Sequence, residues 1–205
     1  MILAGDIGGT KVNLGLYREV DGRLESVEET RVECSNYSGF EQILDEFIGK
    51  TRARPDRACF GVAGPVKDGA CEVTNLSWRI ESGRIKEQLG IDHVWLINDL
   101  AAMACAVPLL GKGEVEVLQQ GAGEVVGRIT VLAAGTGLGQ AFLAPTGVGR
   151  YYALETEGGH CDFAPRNPVE IELLRFLLNE FDRVSIERVL SGSGLYQVYR
   201  FVAEY

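Results

Sequence analysis

The chain has 205 residues, with 20 Lys plus Arg against 29 Asp plus Glu, giving a formal charge of −9. That balance argues against a surface built to grip nucleic-acid backbone, which needs clustered cations, and no apolar run approaches the ~18–20 residues of a membrane-spanning helix. A hydrophobic content of 46% and a charged content of 24% are ordinary for a globular protein, but 26 glycines, about 13% against a usual ~7%, call for special turns or close ligand approach.

Residues 1–5 form a short apolar run that stops at Asp6-Ile7-Gly8-Gly9-Thr10, without the basic start of a signal peptide. Val12, Leu14 and Leu16 then alternate with Asn13, Gly15 and Tyr17, so the glycines sit in a hairpin turn between two strands. Ser38-Gly39-Phe40-Glu41 has the spacing of a capping box. Phe40, Ile43, Leu44, Phe47 and Ile48 follow it as the apolar stripe of a helix ending near Gly49. Residues 57–63 read as a buried strand broken by Gly64-Pro65, with a turn at Lys67-Asp68-Gly69. A short helix is expected from Ser82 to Leu89, capped by Gly90. The continuous apolar run Val94–Ile97 reads as a central strand ending at Asn98-Asp99, and an Ala-rich helix follows over 101–106 until Pro108.

This order of strands and helices predicts an α/β domain over residues 1–110. Loop-like Gly111-Lys112-Gly113 and 121–123 mark the junction to a second domain over 111–205. There, strand Ile129–Ala134 runs into Gly135-Thr136-Gly137-Leu138-Gly139 and then strand Ala141-Phe142-Leu143, a weak internal repeat of strand, glycine turn, strand. Asn167-Pro168 opens a helix whose expected stripe is Ile171, Leu174, Leu178 and Phe181. A last helix is expected from about Gly194 to Tyr205, and a chain that stops inside it suggests a shortened one. The five cysteines (34, 59, 71, 105 and 161) are odd in number, scattered and without a CxxC pair. They read as reduced thiols in a cytoplasm rather than as disulfides or a zinc site.

Glycine turns expose consecutive N–H groups that can hold phosphate oxygens. In the first turn Gly8 and Gly9 offer amides, Thr10 a hydroxyl and Lys11 a charge, with Asp6 placed to hold a hydrated Mg²⁺ beside the phosphates. The second candidate spans Gly135 to Gly139. Neither is a Rossmann fingerprint, because the glycines lead into strands. Gly49-Lys50-Thr51 is no Walker A motif, because position 44 is leucine. Asp99, at the end of a parallel strand, could take a proton from a hydroxyl during phosphoryl transfer, or Asn98 or Asp99 could simply cap the next helix. Glu157-Gly158-Gly159-His160 has ExxH spacing, but two adjacent glycines disfavour a metal-binding helix, and a loop aiming Glu157 and His160 at a polar ligand fits better. Glu187 in a first helical turn has the helix dipole as its plain explanation.

Taken together, these segments resemble the bacterial glucokinase family of the actin–hexokinase superfamily. The first five glycine-turn residues with Gly5 look like its first phosphate segment, and Leu96-Ile97-Asn98-Asp99-Leu100 like its catalytic segment. Gly135-Thr136-Gly137-Leu138-Gly139 is similar to its second phosphate segment, residues 155–165 (ETEGGHCDFAP) to its sugar-binding stretch, and Ser185–Gly192 to a fifth segment. The resemblance implies a two-domain actin/hexokinase-like (ribonuclease H-like) α/β fold, with mixed sheets flanked by helices and an incomplete second domain. It implies transfer of the γ-phosphoryl group of ATP, with Mg²⁺, to the 6-hydroxyl of D-glucose. On it, Asp99 is the general base. Asn98, Glu157, His160 and Glu187 bind the sugar, while Gly5, Asp6, Ile7, Gly8, Gly9, Thr10, Lys11, Gly135, Thr136 and Gly137 bind the nucleotide. A homodimer is a family-level implication. Ala134 and Ser193 stand where the family often has proline, and the zinc-binding cysteines of the related ROK kinases are absent. A non-catalytic sugar-binding or regulatory module of the same fold is the alternative reading.

Overall fold

The computed structural model describes residues 1–74, 76–111, 113–121, 127–147 and 149–204. The expected loop positions Lys112 and 122–123, and the expected helix end at Tyr205, lie outside these described residues. The chain divides into two compact units, Met1–Ala102 and Met103–Tyr205.

In the first unit, β1 (Ile2–Ile7) and β2 (Lys11–Val20) form the expected antiparallel hairpin, paired from Ile2↔Tyr17 to Ile7↔Val12. A third strand, β3 (Arg23–Glu33), has no counterpart among the sequence expectations. It joins β2 through Asp21 and Gly22, both with positive φ (50° and 74°), as a tight two-residue hairpin turn requires. Helix α1 (Phe40–Thr51) buries Phe40, Ile43, Leu44 and Phe47 on the sheet. The capping box does not form. Gly39 takes the N-cap position, so the residue reaching back is Gln42, whose Oε1 accepts from the Ser38 N–H at 3.2 Å, and not Glu41. The helix also runs past Gly49 and ends where Arg52 turns left-handed (φ 52°).

Strand β4 (Arg57–Val62) lies parallel to β1. After the turn at Asp68 and Gly69 come a small hairpin, β5 (Ala70–Glu72) with β6 (Arg79–Glu81), and helix α2 (Ser82–Leu89), capped by left-handed Gly90. Strand β7 (His93–Asn98) pairs parallel with β4. The sheet order is β3-β2-β1-β4-β7, so β7 is a terminal strand of this sheet and not a central one. Trp95 is 51% exposed and stacks on His93. A continuous apolar run marks a strand buried on both faces only if neighbours exist on both sides, which sequence does not specify. Leu3, Ile7, Phe60 and Val62 are fully buried at the centre of this unit's core.

Helix α3 (Asp99–Ala106) follows and leads into a 3₁₀ turn at Val107–Leu109. In the second unit, β8 (Ile129–Ala134), β9 (Leu138–Gly147) and β10 (Arg150–Thr156) form an antiparallel sheet, β10 being unexpected from sequence. Helix α4 (Pro168–Leu177) is capped by Asn167, whose side chain accepts from the Glu170 N–H at 2.9 Å. Its buried residues are Leu173 and Leu177, whereas the expected Ile171 and Leu178 are 41% and 49% exposed. Apolar residues occur all round this helix, so periodicity alone does not choose its face. Val184 and Phe201, which share the cluster, do. Helix α5 (Gly192–Glu204) carries Phe201, whose ring lies 5.7 Å from that of Phe176.

Candidate active site

In the first unit, β1, β4 and β7 end side by side: Ile7 pairs with Val62, and Val62 with Asn98. The C-terminal ends of parallel strands are where α/β sheets present ligand-binding groups. Asp6 and the Asn98–Asp99 pair are delivered there. Gly61 allows α3 to rest against β4. A Cβ at this position would lie 3.2 Å from the Ala102 Cβ and 3.5 Å from the Asp99 Cα.

Asn98 caps α3. Its Oδ1 accepts from the N–H groups of Leu100 (3.0 Å) and Ala101 (3.1 Å), and its Nδ2 donates to the Gly64 carbonyl at 3.3 Å. The Asp99 Oδ1 accepts from the Leu100 N–H at 2.8 Å. Burial, opposed in part by the Leu100 amide and reinforced by the negative charge of Asp6, holds the Asp99 carboxyl above the usual carboxylate value. The Asp6 carboxylate accepts from the Asn13 amide at 3.0 Å. Burial, then the charges of Asp99 and Glu72, push the nearby Cys71 thiol up, so it is a poor nucleophile.

The first glycine turn closes with the Gly8 N–H donating to the Lys11 carbonyl at 2.9 Å. Gly5 and Ile7 lie inside β1. Ile7 is fully buried, and a Cβ on Gly5 would meet Leu14 and Phe60 carbons at 2.7 Å, so core packing requires that glycine. The Lys11 ammonium lies 3.2 Å from Glu33 on the paired strand, both side chains exposed. Thr10 is exposed, and its carbonyl accepts from the Cys34 N–H.

In the second unit, Gly135, Thr136 and Gly137 connect β8 to β9, whose last pair is Ala134↔Leu138. The Gly135 carbonyl accepts from the Gly192 N–H at 2.8 Å, and the Leu138 N–H donates to Glu187 Oε2 at 2.8 Å. A side chain at Gly137 would collide with that carboxylate. Glu157, Gly158, Gly159 and His160 form a loop with one 3₁₀ turn, Gly158–His160, as the paired glycines predict. Gly159 packs on the Leu138 carbonyl, where no Cβ would fit. The His160 Nε2 lies 3.6 Å from Glu157, and its Nδ1 lies 3.9 Å from Glu187. Glu157, His160 and Glu187 thus form one polar cluster. Glu187 lies in a single 3₁₀ turn, Ile186–Arg188, and not in the expected first turn of a helix, and its partners are the Leu138 amide and His160. Asn13, Gly61 and Arg183, which donates to Asp162 and to the His160 carbonyl, take part in these two arrangements without having been singled out from sequence. The partners of Gly61 and Arg183 lie far away along the chain, whereas Asn13 meets Asp6 across the β1–β2 hairpin.

A family model described as Glucokinase matches residues 3–205. The chain belongs to the glucokinase family. It is 39% identical to the glucokinase of Nostoc punctiforme over 208 residues, covering 100% of this chain and 61% of that protein. It is 39% identical to the glucokinase of Synechocystis sp. over 213 residues, covering 98% and 60%. Among solved structures, a glucokinase from an Antarctic psychrotroph has a TM-score of 0.87 at 30% identity, with 99% of this chain and 64% of that one covered. A ROK family glucokinase from Streptomyces griseus, solved with glucose and AMPPNP, shares the fold at a TM-score of 0.58 and 22% identity. The architecture is the actin/hexokinase-like fold of these kinases. The chain spans about 61% of the length of its glucokinase relatives. Among the described residues, no helix is long and apolar enough to cross a membrane.

Proposed function

We propose that this chain is the larger part of a cytoplasmic glucokinase, which transfers the γ-phosphoryl group of ATP to the 6-hydroxyl of D-glucose. The observation that carries the reading is Asp99. In a chain of this family, it is a carboxylate at the end of a parallel strand, made more basic than a free aspartate by burial and by Asp6. A group so tuned accepts a proton from the attacking hydroxyl more readily. Glu157, His160 and Glu187, clustered in the second unit, offer polar groups to hold sugar hydroxyls, and Asn98 is a further candidate for the same role. Such a set rejects analogues lacking those hydroxyls, since its own groups would be left unpaired.

Among the described residues, no group of three or more His, Cys, Asp or Glu is arranged to hold a metal ion. A Mg²⁺ that arrives with a nucleotide draws most of its oxygens from phosphate and water and needs only one or two carboxylates, a role Asp6 can fill through water. The residues therefore fit hydrated Mg²⁺–ATP. When bound, that complex supplies the phosphoryl group and the charge that neutralises its oxygens. The amides of the two glycine turns, the Thr10 hydroxyl and Lys11 are the chain's own groups for the phosphates. The domain roles follow: residues 1–110 carry the first turn and the base, and residues 111–205 the second turn and the remaining sugar ligands.

A coupled assay for glucose 6-phosphate, with calorimetric titration of D-glucose and of AMPPNP, tests this. Asp99→Ala should lower turnover by about 10²- to 10⁴-fold while leaving glucose binding measurable. Turnover near the parent level in that variant would remove Asp99 from the role.

A further inference from the structure

Arg183 lies outside the residues assigned above, yet its guanidinium holds the loop that carries two of them. Nε donates to Asp162 Oδ1 at 2.5 Å, and Nη2 donates to the His160 carbonyl at 2.8 Å. The main chain beside it pairs with the same segment. The Phe163 N–H donates to the Val184 carbonyl at 2.9 Å, the Ile186 N–H donates to the Cys161 carbonyl at 2.8 Å, and Asp162 and Ser185 form an antiparallel bridge. Residues 161–163 and 184–186 thus make a short ladder. Arg183 extends it by a side chain to His160, one residue beyond the backbone pairing.

Within the held segment Gly159 is packed on the Leu138 carbonyl and the turn closes with its own hydrogen bonds, from His160 to Glu157 and from Cys161 to Gly158, but none of these reaches across to the segment that carries Glu187. Gly158 and Gly159 give it a large conformational freedom to lose. The Glu157 and His160 side chains are 90% and 60% exposed, so packing does not orient them. A planar guanidinium presents separate nitrogens to a carboxylate and a carbonyl in a fixed fork, whereas an ammonium carries its three N–H donors on one nitrogen at the end of a flexible stem. The same ladder leads directly into Glu187, so what Arg183 fixes is the position of one part of the polar cluster against another.

We propose that Arg183 is a positioning residue for the sugar site: by binding the His160 carbonyl and the Asp162 carboxylate at once, it sets the orientation of Glu157 and His160 against Glu187. The proposal rests on the sugar-binding reading of those three side chains. Arg183 and Asp162 are 64% and 74% exposed, so losing the pair should leave the global denaturation midpoint nearly unchanged. The local effect should be large.

The test uses the 205-residue chain with Arg183→Met, Arg183→Lys and Asp162→Asn. Amide hydrogen exchange at His160 and Cys161 should quicken about tenfold or more in Arg183→Met. Affinity for D-glucose should fall about ten- to a hundredfold, by analogy with the loss seen when a group orienting a metal-binding side chain is removed. Arg183→Lys should resemble Arg183→Met in both readouts, and Asp162→Asn should show a smaller effect in the same direction, which serves if Arg183→Met does not fold. Unchanged exchange at 160–161, or unchanged glucose affinity in Arg183→Met, overturns the proposal. So does full rescue by lysine, which would mean that charge alone suffices. A parent chain that takes up no glucose, with exchange still accelerated in the variant, counts against the glucokinase reading while supporting the hold of Arg183 on the loop.

Discussion

Asn98→Ala removes an amide that makes three hydrogen bonds, two accepted from Leu100 and Ala101 and one donated to Gly64. Losing a capping side chain costs about 1 kcal/mol. The 3.3 Å bond to Gly64 adds about 0.5 kcal/mol, the low end for a neutral pair. All four residues lie in Met1–Ala102, so the total of about 1.5 kcal/mol falls on that unit. At about 4–8 °C per kcal/mol for a unit of this size, its melting midpoint should drop by about 6–12 °C. Both tryptophans of the chain, Trp78 and Trp95, are in the same unit. Tryptophan fluorescence during urea unfolding therefore reports on it directly. Asn98→Ser keeps a capping oxygen but cannot reach Gly64 as a donor in the same way, so it should recover about 1 kcal/mol. An alanine variant within about 0.5 kcal/mol of the parent, or a serine variant no better than alanine, would refute the assignment of Asn98 as the cap.

Two further outcomes are expected. Asp99 is held above its ordinary pKa of 3.8, so its ionised form costs stability. That cost is absent below the ordinary value and grows as pH rises through the folded one. Asp99→Asn, which keeps an oxygen for the Leu100 N–H, should therefore be more stable than the parent at pH 7, with the gap closing below about pH 4. Equal unfolding midpoints at both pH values would contradict the raised carboxyl. Gly159→Ala should destabilise the second unit by about 1–3 kcal/mol, because its methyl group would land on the Leu138 carbonyl and the turn must move. A variant with the parent's midpoint in thermal or urea unfolding would show that the loop yields more easily than this packing implies.

The elements with strong local signals were readable from sequence. The β1–β2 and β8–β9 hairpins follow from alternation around glycines, and α1 from its apolar stripe. Strand β3 was missed because its residues are mostly charged and exposed, as befits a terminal strand. Asp21-Gly22, a strong two-residue hairpin signal, could have revealed it. The place of β7 at the edge of the sheet, and the face that α4 buries, depend on which elements pack alongside, information no single segment contains. At the candidate site, residue types and spacing raised Asp99, as base or helix cap, and the Glu157–His160 loop, whereas Glu187 entered only through the resemblance to the glucokinase family. Glu157 and His160 are neighbours by sequence, but the approach of Glu187 to them is a tertiary fact, carried by the ladder between 161–163 and 184–186. Arg183 gave no signal at all, because an isolated arginine before an apolar residue is common.

The bond from the Leu138 amide to Glu187 makes position 137 a shared hinge pin. A methyl group there would push directly on the carboxylate that faces His160. Under the proposed assignment of Gly137 to the nucleotide and Glu187 to the sugar, kinetic defects produced by altering Gly137 should therefore surface in the constants of both ligands at once. On that proposal, a variant library that sorts this glycine under nucleotide contacts alone would miss its effect on Glu187.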